Sequence, residues 1–255
     1  FLHRKPGGVL PPDSDIESYQ LLYRDCYEFA VGHGCAVNWT AISNGQAGEL
    51  ETAIIPDYHL PATTPNNMGG LEMQALADAR DAASIATLLQ PLFDAYRQWI
   101  DERRTEIAAL DNSLQGAAQV HIDRCEEALR RMQVGLDLIR NEPHVFEAFK
   151  FANRTMLLQR SYGAWAQEFR KTGKRTTSNP TLGGTWRPFQ MAFILLNLIG
   201  ITRPDHPERS IVDLLWFPTG GGKTEAYLGL TAFTIALRRL EGSVNSMRGD
   251  GGVTV

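Results

Sequence analysis

The sequence predicts an α/β chain in three regions. A small irregular β-containing stretch covers residues 1–70 and a long-helix α-rich stretch 71–169; after a basic linker over 170–185, the opening of a phosphate-binding domain covers 186–255. Three observations predict it. The apolar run Ile211 to Phe217 leads into Thr219-Gly220-Gly221-Gly222-Lys223-Thr224-Glu225, and a helical pattern from Ala226 to Leu240 leaves it, which is the layout strand, glycine loop, helix. Residues 71–169 are rich in Ala, Leu, Glu and Arg at helical spacing. Residues 1–70 are rich in Pro, Gly and Asn, with short strand-like runs such as Ala36–Thr40 and Glu51–Ile55.

The first region carries no chemistry that its residue types announce, and 61–70 reads as a loop. Breaks in the helical region are expected at Pro91, at Asp111-Asn112-Ser113 and at Asn141-Glu142-Pro143. Between the last two, Ala118, Ile122, Cys125, Leu129, Met132, Leu136 and Ile139 recur at steps of three or four and form one apolar stripe. Ser113 reads as the N-cap of that helix and Pro143 as a first-turn residue of the next. The charged groups Asp101 to Arg104 and Arg130-Arg131 read most simply as solvated helix faces, with a nucleic-acid or partner contact as the alternative.

Arg170, Lys171, Lys174 and Arg175 give the linker four positive charges with no acid between them. They suit either a solvated linker or contact with a DNA phosphate backbone, which adds affinity without sequence preference. Beyond it, the pattern predicts a helix over 189–198, a loop over 200–210, a strand over 211–217, the glycine loop, a helix over 223–240, a flexible 241–252 and the start of another strand.

The loop's chemistry follows from its residue types. Glycines let consecutive backbone N–H groups face one concavity, and the helix that follows adds its positive end, so the expected ligand is a triphosphate. Lys223 would reach the β- and γ-phosphates and the Thr224 hydroxyl would ligate Mg²⁺. The strict pattern G-x-x-x-x-G-K-[ST] fails, because position 217 is Phe. Gln190 precedes Lys223 by 33 residues, room for one helix, a connector and a strand, and its amide has the donor and acceptor needed for an adenine edge.

Pro218 to Thr224 resembles the first motif of superfamily 2 helicases and translocases, which does not insist on the leading glycine. Trp186-Arg187-Pro188-Phe189-Gln190 resembles the segment with which those enzymes grip adenine. Together with Phe29 to Ala36, Phe151 to Arg154, and Val212 to Gly229, the chain is similar to the helicase-like ATPase subunit of the bacterial DISARM anti-phage system. The resemblance implies the start of a RecA-like motor domain, truncated at residue 255 and belonging to a larger two-motor ATPase. That ATPase would use ATP and Mg²⁺, bind DNA and act with a partner subunit. It also assigns nucleotide contacts to Arg187, Phe189, Gln190 and Thr219 through Glu225. No Asp-Glu pair follows position 224 and no arginine finger is evident, so the hydrolytic half is expected beyond Val255. Two other classes fit the same residues: a P-loop ATPase that drives assembly without tracking on nucleic acid, and a helical scaffold with a vestigial nucleotide loop.

Bulk properties narrow the rest. A net charge of −4 and a pI near 5.9 leave no general basic footprint, so any nucleic-acid surface is expected to be local or to lie in parts of the protein outside this sequence. Three scattered cysteines, Cys26, Cys35 and Cys125, make no disulfide framework, and His33 with Cys35 falls short of a closed tetrahedral metal site. No signal peptide opens the chain, and its longest apolar stretch, Met191 to Ile201, is too short for a span, so a cytoplasmic protein is expected.

Overall fold

In the computed structural model, the residues described are 14–26, 29–40, 43–44, 46–55, 68–173, 179–216, 221–244 and 247–249. They fall into two compact units. One is 1–63 with 101–124, the other 64–100 with 125–255.

In the first unit, α1 (Ser14–Leu22) is followed by an antiparallel hairpin of β1 (Ala36–Thr40) and β2 (Glu49–Ala53), with Ala36 opposite Ala53 and Thr40 opposite Glu49. The second strand starts two residues earlier than the apolar pattern suggested, and Ile54 and Ile55 lie exposed beyond it. Phe29 packs edge-on against Trp39, with ring centroids 5.6 Å apart. Leu21 clusters with Ala117 and Ala118, and the Ser18 hydroxyl lies 2.6 Å from His121 Nε2.

The second unit is helical. Its elements are α2 (Met73–Ala77), most of α3 (Ala82–Glu106), the second half of α4 (Asn112–Asn141), α5 (Pro143–Thr172), α6 (Pro188–Thr202) and α7 (Lys223–Glu241). A two-residue ladder of β3 (Ser243–Val244) and β4 (Met247–Arg248) follows α7. One continuous core joins them, with Phe93, Ile139, Phe149, Leu195 and Phe233 nearly inaccessible. Burial of a side chain of this size contributes about 1.5–3 kcal/mol.

Several local expectations change. Pro91 does not break α3 but sits inside it, because Ile85, Leu89, Leu92 and Phe93 on the flanking turns are buried and their packing outweighs the lost backbone bond. The cap of α4 is Asp111, not Ser113: Asp111 Oδ1 accepts from the Ser113 N–H at 3.0 Å. Pro143 does open α5. Arg170 and Lys171 belong to the last turn of α5, ahead of the left-handed Gly173, and not to a loop; there they face the negative end of the helix dipole. Residues 211–216 form no strand. Among the described residues no neighbour offers them a ladder, and the only sheets are two antiparallel pairs.

Candidate functional site

The site is built outward from Trp186. Its ring is 2% exposed, and its indole N–H donates to Asn153 Oδ1 of α5 at 2.7 Å. The backbone on either side is tied down as well: Trp186 N–H donates to Leu71 O and Met73 N–H to Gly184 O, both at 2.9 Å, so residues 184–186 run antiparallel to 71–73. On its far face the ring rests on α7 at Gly229, where a Cβ would lie 2.7 Å from a ring carbon. Trp186 thus fixes the start of α6 against both α5 and α7.

The next residues use that placement. Pro188 opens α6, and Gln190 Oε1 accepts from the Arg187 N–H at 2.8 Å, the N3-to-N-cap half of a capping box; the Arg187 side chain, which has donors only, cannot supply the other half. The same amide donates from Nε2 to the Gly222 carbonyl at 2.6 Å, and Arg187 Nη1 donates to the Gly221 carbonyl. The two sequence motifs therefore meet through the backbone of the glycine loop. Gly222 has φ 89° and ψ 26° as the N-cap of α7, a left-handed conformation that favours glycine, and a Cβ there would lie 2.6 Å from Gln190 Nε2.

These bonds set the direction of the loop amides. No described peptide is cis, and in a trans peptide the C=O and N–H point to opposite sides. Holding the Gly221 and Gly222 carbonyls toward α6 turns the N–H groups of Gly222 and Lys223 to the other side. The first turn of α7 has further amides with no carbonyl partner inside the helix, and the positive end of a 19-residue dipole lies behind them.

A cavity of about 490 Å³ opens where these pieces meet, lined by Arg160, Trp186, Arg187, Gln190, Gly222 and Glu225 together with Gly183 to Thr185. Its walls are polar. Glu225 Oε2 is buried without a hydrogen-bond partner, which costs about 1–3 kcal/mol in the absence of a ligand or water. Lys223 and Thr224 are the first two residues of α7.

Phe189 separates from the other expected nucleotide contacts. It lines an apolar hollow of about 520 Å³ with Tyr96, Trp99 and Met132, while Arg187 and Gln190 line the polar cavity. Thr219, Gly220, Lys174 and Arg175 lie outside the described residues. Arg170 and Lys171 are exposed on α5 and do not line the cavity. Among the described residues no group of three His, Cys, Asp or Glu side chains is placed to hold a metal, and no helix is long and apolar enough to cross a membrane.

Sequence reasoning missed Arg160, which reaches the cavity from α5, and misplaced Arg131. Arg131 is 8% exposed and donates from Nε to Glu208 at 2.9 Å and from both Nη atoms to Asp213 at 2.7 Å. Arg130 adds a bond to Glu208 at 3.0 Å. The carboxylate partners, Asp213 first, hold the Arg131 guanidinium pKa above its already high ordinary value. An Asp interrupting an apolar run ahead of the glycine loop was the available signal.

No family model matches the chain. Among curated proteins it is 39% identical over 249 residues to the DISARM protein DrmA of Bacillus paralicheniformis, a match covering 92% of this chain and 22% of that protein. The chain is a relative of a DISARM protein. It spans about a fifth of the length of that relative, and the similarity runs through both units described above. The likeness to a DISARM component that the motifs carried holds at this level.

Proposed function

We propose that the chain is the nucleotide-engaging part of an ATP-dependent, superfamily 2 helicase-like DISARM protein that acts on DNA with a partner subunit in the cytoplasm. In this reading residues 186–255 open a RecA-like motor domain. The observation that carries it is the pair of bonds from Arg187 and Gln190 to the carbonyls of Gly221 and Gly222. Two motifs more than thirty residues apart each look like half of an ATP site, and they meet at one helix N-terminus.

The residues fit the ligand. The cavity falls within the roughly 300–1,000 Å³ range of small-molecule sites, and its polar walls suit a nucleoside. Gln190 spends one N–H and one lone pair inside the protein, which leaves one of each for N7 and N6 of adenine. The loop amides, the Lys223 ammonium and Mg²⁺ on Thr224 would hold the phosphates, and electrostatic stabilisation of this kind dominates phosphoryl transfer. DISARM membership rests on the relative's name.

An ATPase that drives assembly without tracking on DNA is the second reading. It gains from the placement of Arg130 and Arg131, whose charges are spent on Glu127, Glu208 and Asp213 and not on a nucleic-acid face. ATP turnover by the intact protein, measured with and without DNA, separates the two. DNA-stimulated turnover lost in Lys223→Ala is expected; turnover indifferent to DNA favours assembly, and a Lys223→Ala protein equal to wild type in every assay leaves only a scaffold.

A further inference from the structure

The segment 211–216 leads into the glycine loop, yet no backbone ladder holds it among the described residues. Its side chains alternate as in a strand: Val212, Leu214 and Trp216 are 93%, 85% and 78% exposed, while Asp213 and Leu215 turn inward. Leu215 packs on the core. Asp213 accepts a two-pronged bond from Arg131, at 2.7 Å to each oxygen, and Arg131 is itself immobilised by Glu208 at 2.9 Å and the Leu196 carbonyl at 3.3 Å. Four bonds from one planar guanidinium fix both the position and the rotation of the Asp213 carboxylate.

We infer that Arg131, through Asp213, is a positioning residue for the phosphate loop, an inference that rests on the nucleotide reading above. At the far end of the connection, Gly221 and Gly222 are tied to Arg187 and Gln190. At the near end the ties among the described residues are the Ile211 N–H bond to the Glu208 carbonyl at 3.1 Å, the Arg131 fork and the packing of Leu215 on the core. Among the described residues, the fork is the one side-chain ion pair on the segment, and it fixes where Asp213 sits ahead of the loop. Its donor lies on α4, a long helix outside the predicted motor region, so a shift of α4 reaches the segment ahead of the loop through this salt bridge. Glu208 belongs to the same cluster but sits on the connector before the segment, in the 3₁₀ turn Pro207–Ser210. Its role is to hold Arg131, with Arg130 and the other Arg131 bonds in support.

This asymmetry gives the test. Asp213→Asn and Glu208→Gln each remove one carboxylate charge from the cluster, but only the first breaks the fork to the segment. In the intact protein, both variants are expected to lower Tm to a similar extent. Binding of a fluorescent ADP analogue with Mg²⁺ is expected to weaken roughly tenfold in Asp213→Asn and less than about twofold in Glu208→Gln, since small misplacements of a binding group are costly. Hydrogen exchange without nucleotide should accelerate over 211–216 in the first variant alone. Should Asp213→Asn not fold, Asp213→Glu keeps the charge, lengthens the reach and makes the same comparison at smaller amplitude. Affinity that falls in both variants in step with Tm, or an Asp213→Asn protein that binds as wild type does, overturns the inference. A wild-type protein that binds no ADP removes the nucleotide reading itself, and the wild-type arm shows this before any variant is compared.

Discussion

Gln190 donates from Nε2 to the Gly222 carbonyl at 2.6 Å and accepts through Oε1 from the Arg187 N–H at 2.8 Å, so one amide both caps α6 and holds the N-cap of α7. A helix start and a loop more than thirty residues later thereby share one side chain. The geometry makes the amide group itself testable, because its two ends do different things.

Gln190→Ala removes both bonds and leaves the Gly222 carbonyl without its partner. A loss of about 1–2 kcal/mol in unfolding free energy is expected, with a drop of roughly tenfold in ADP affinity as the loop amides lose their direction. Gln190→Glu separates the two bonds. It keeps the acceptor for the Arg187 N–H and adds a negative charge to the first turn of α6, where the dipole favours it, but it sets an oxygen against the Gly222 carbonyl. Because Gln190 is buried, the carboxylate also carries a desolvation cost, so thermal melts and ADP titration should find the Glu variant below wild type in Tm and weaker than the Ala variant in affinity. Two variants that bind as wild type does would remove Gln190 from the site.

The wedge between Trp186 and α7 makes a second prediction. A methyl group at Gly229 would meet the Trp186 ring at 2.7 Å and Ile194 Cδ1 at 3.1 Å, and the ring is not free to retreat while its N–H is bonded to Asn153. Overpacking of this kind costs about 1–3 kcal/mol, against roughly 1 kcal/mol gained by replacing a helical glycine. Gly229→Ala is therefore expected to be destabilising by about 1 kcal/mol, and to weaken ADP binding through the displaced Arg187 and Gln190. Asn153→Ala makes the complementary change: it leaves the ring in place but strands a buried indole N–H, at about 1–3 kcal/mol. Denaturant unfolding followed by far-UV dichroism measures both, and a Gly229→Ala protein more stable than wild type would contradict the packing argument.

What the sequence made legible was short-range. The helix predicted over 189–198 is found as Pro188–Thr202, and that over 223–240 as Lys223–Glu241, because each begins at a Pro or Gly and carries uninterrupted apolar spacing. The pairing of the Gln190 segment with the glycine loop was readable from residue types and distance along the chain. Direction was not: Phe189 and Gln190 are neighbours in sequence but about 100° apart around a helix, so one faces the apolar hollow and the other the polar cavity. Nor were distant partners. Arg130-Arg131 reads as a solvated pair until Glu208 and Asp213, 77 and 82 residues beyond Arg131, close on it. Arg160 reached the cavity from a helix face on which charge is usually solvated.

The last prediction concerns pH. Glu241 ends α7, and burial raises its carboxyl pKa above the ordinary 4.5; the positive charges of His144 and Arg203 oppose that shift, while Glu142 adds to it. A carboxylate at the negative end of a helix dipole is unfavourable for the same reason, that the charged form is the costly one. A group whose pKa is raised on folding binds its proton more tightly in the folded state. Its favourable contribution is therefore complete below about pH 4.5 and is lost as pH rises through the folded value, so at neutral pH the charge is a net cost. Glu241→Gln keeps the shape and removes the charge. A higher Tm than wild type is expected at pH 7, with the difference shrinking to nothing at pH 4. A variant less stable than wild type at pH 7 would mean that the attraction to Arg203 outweighs burial, and the sign assigned to this residue would be reversed.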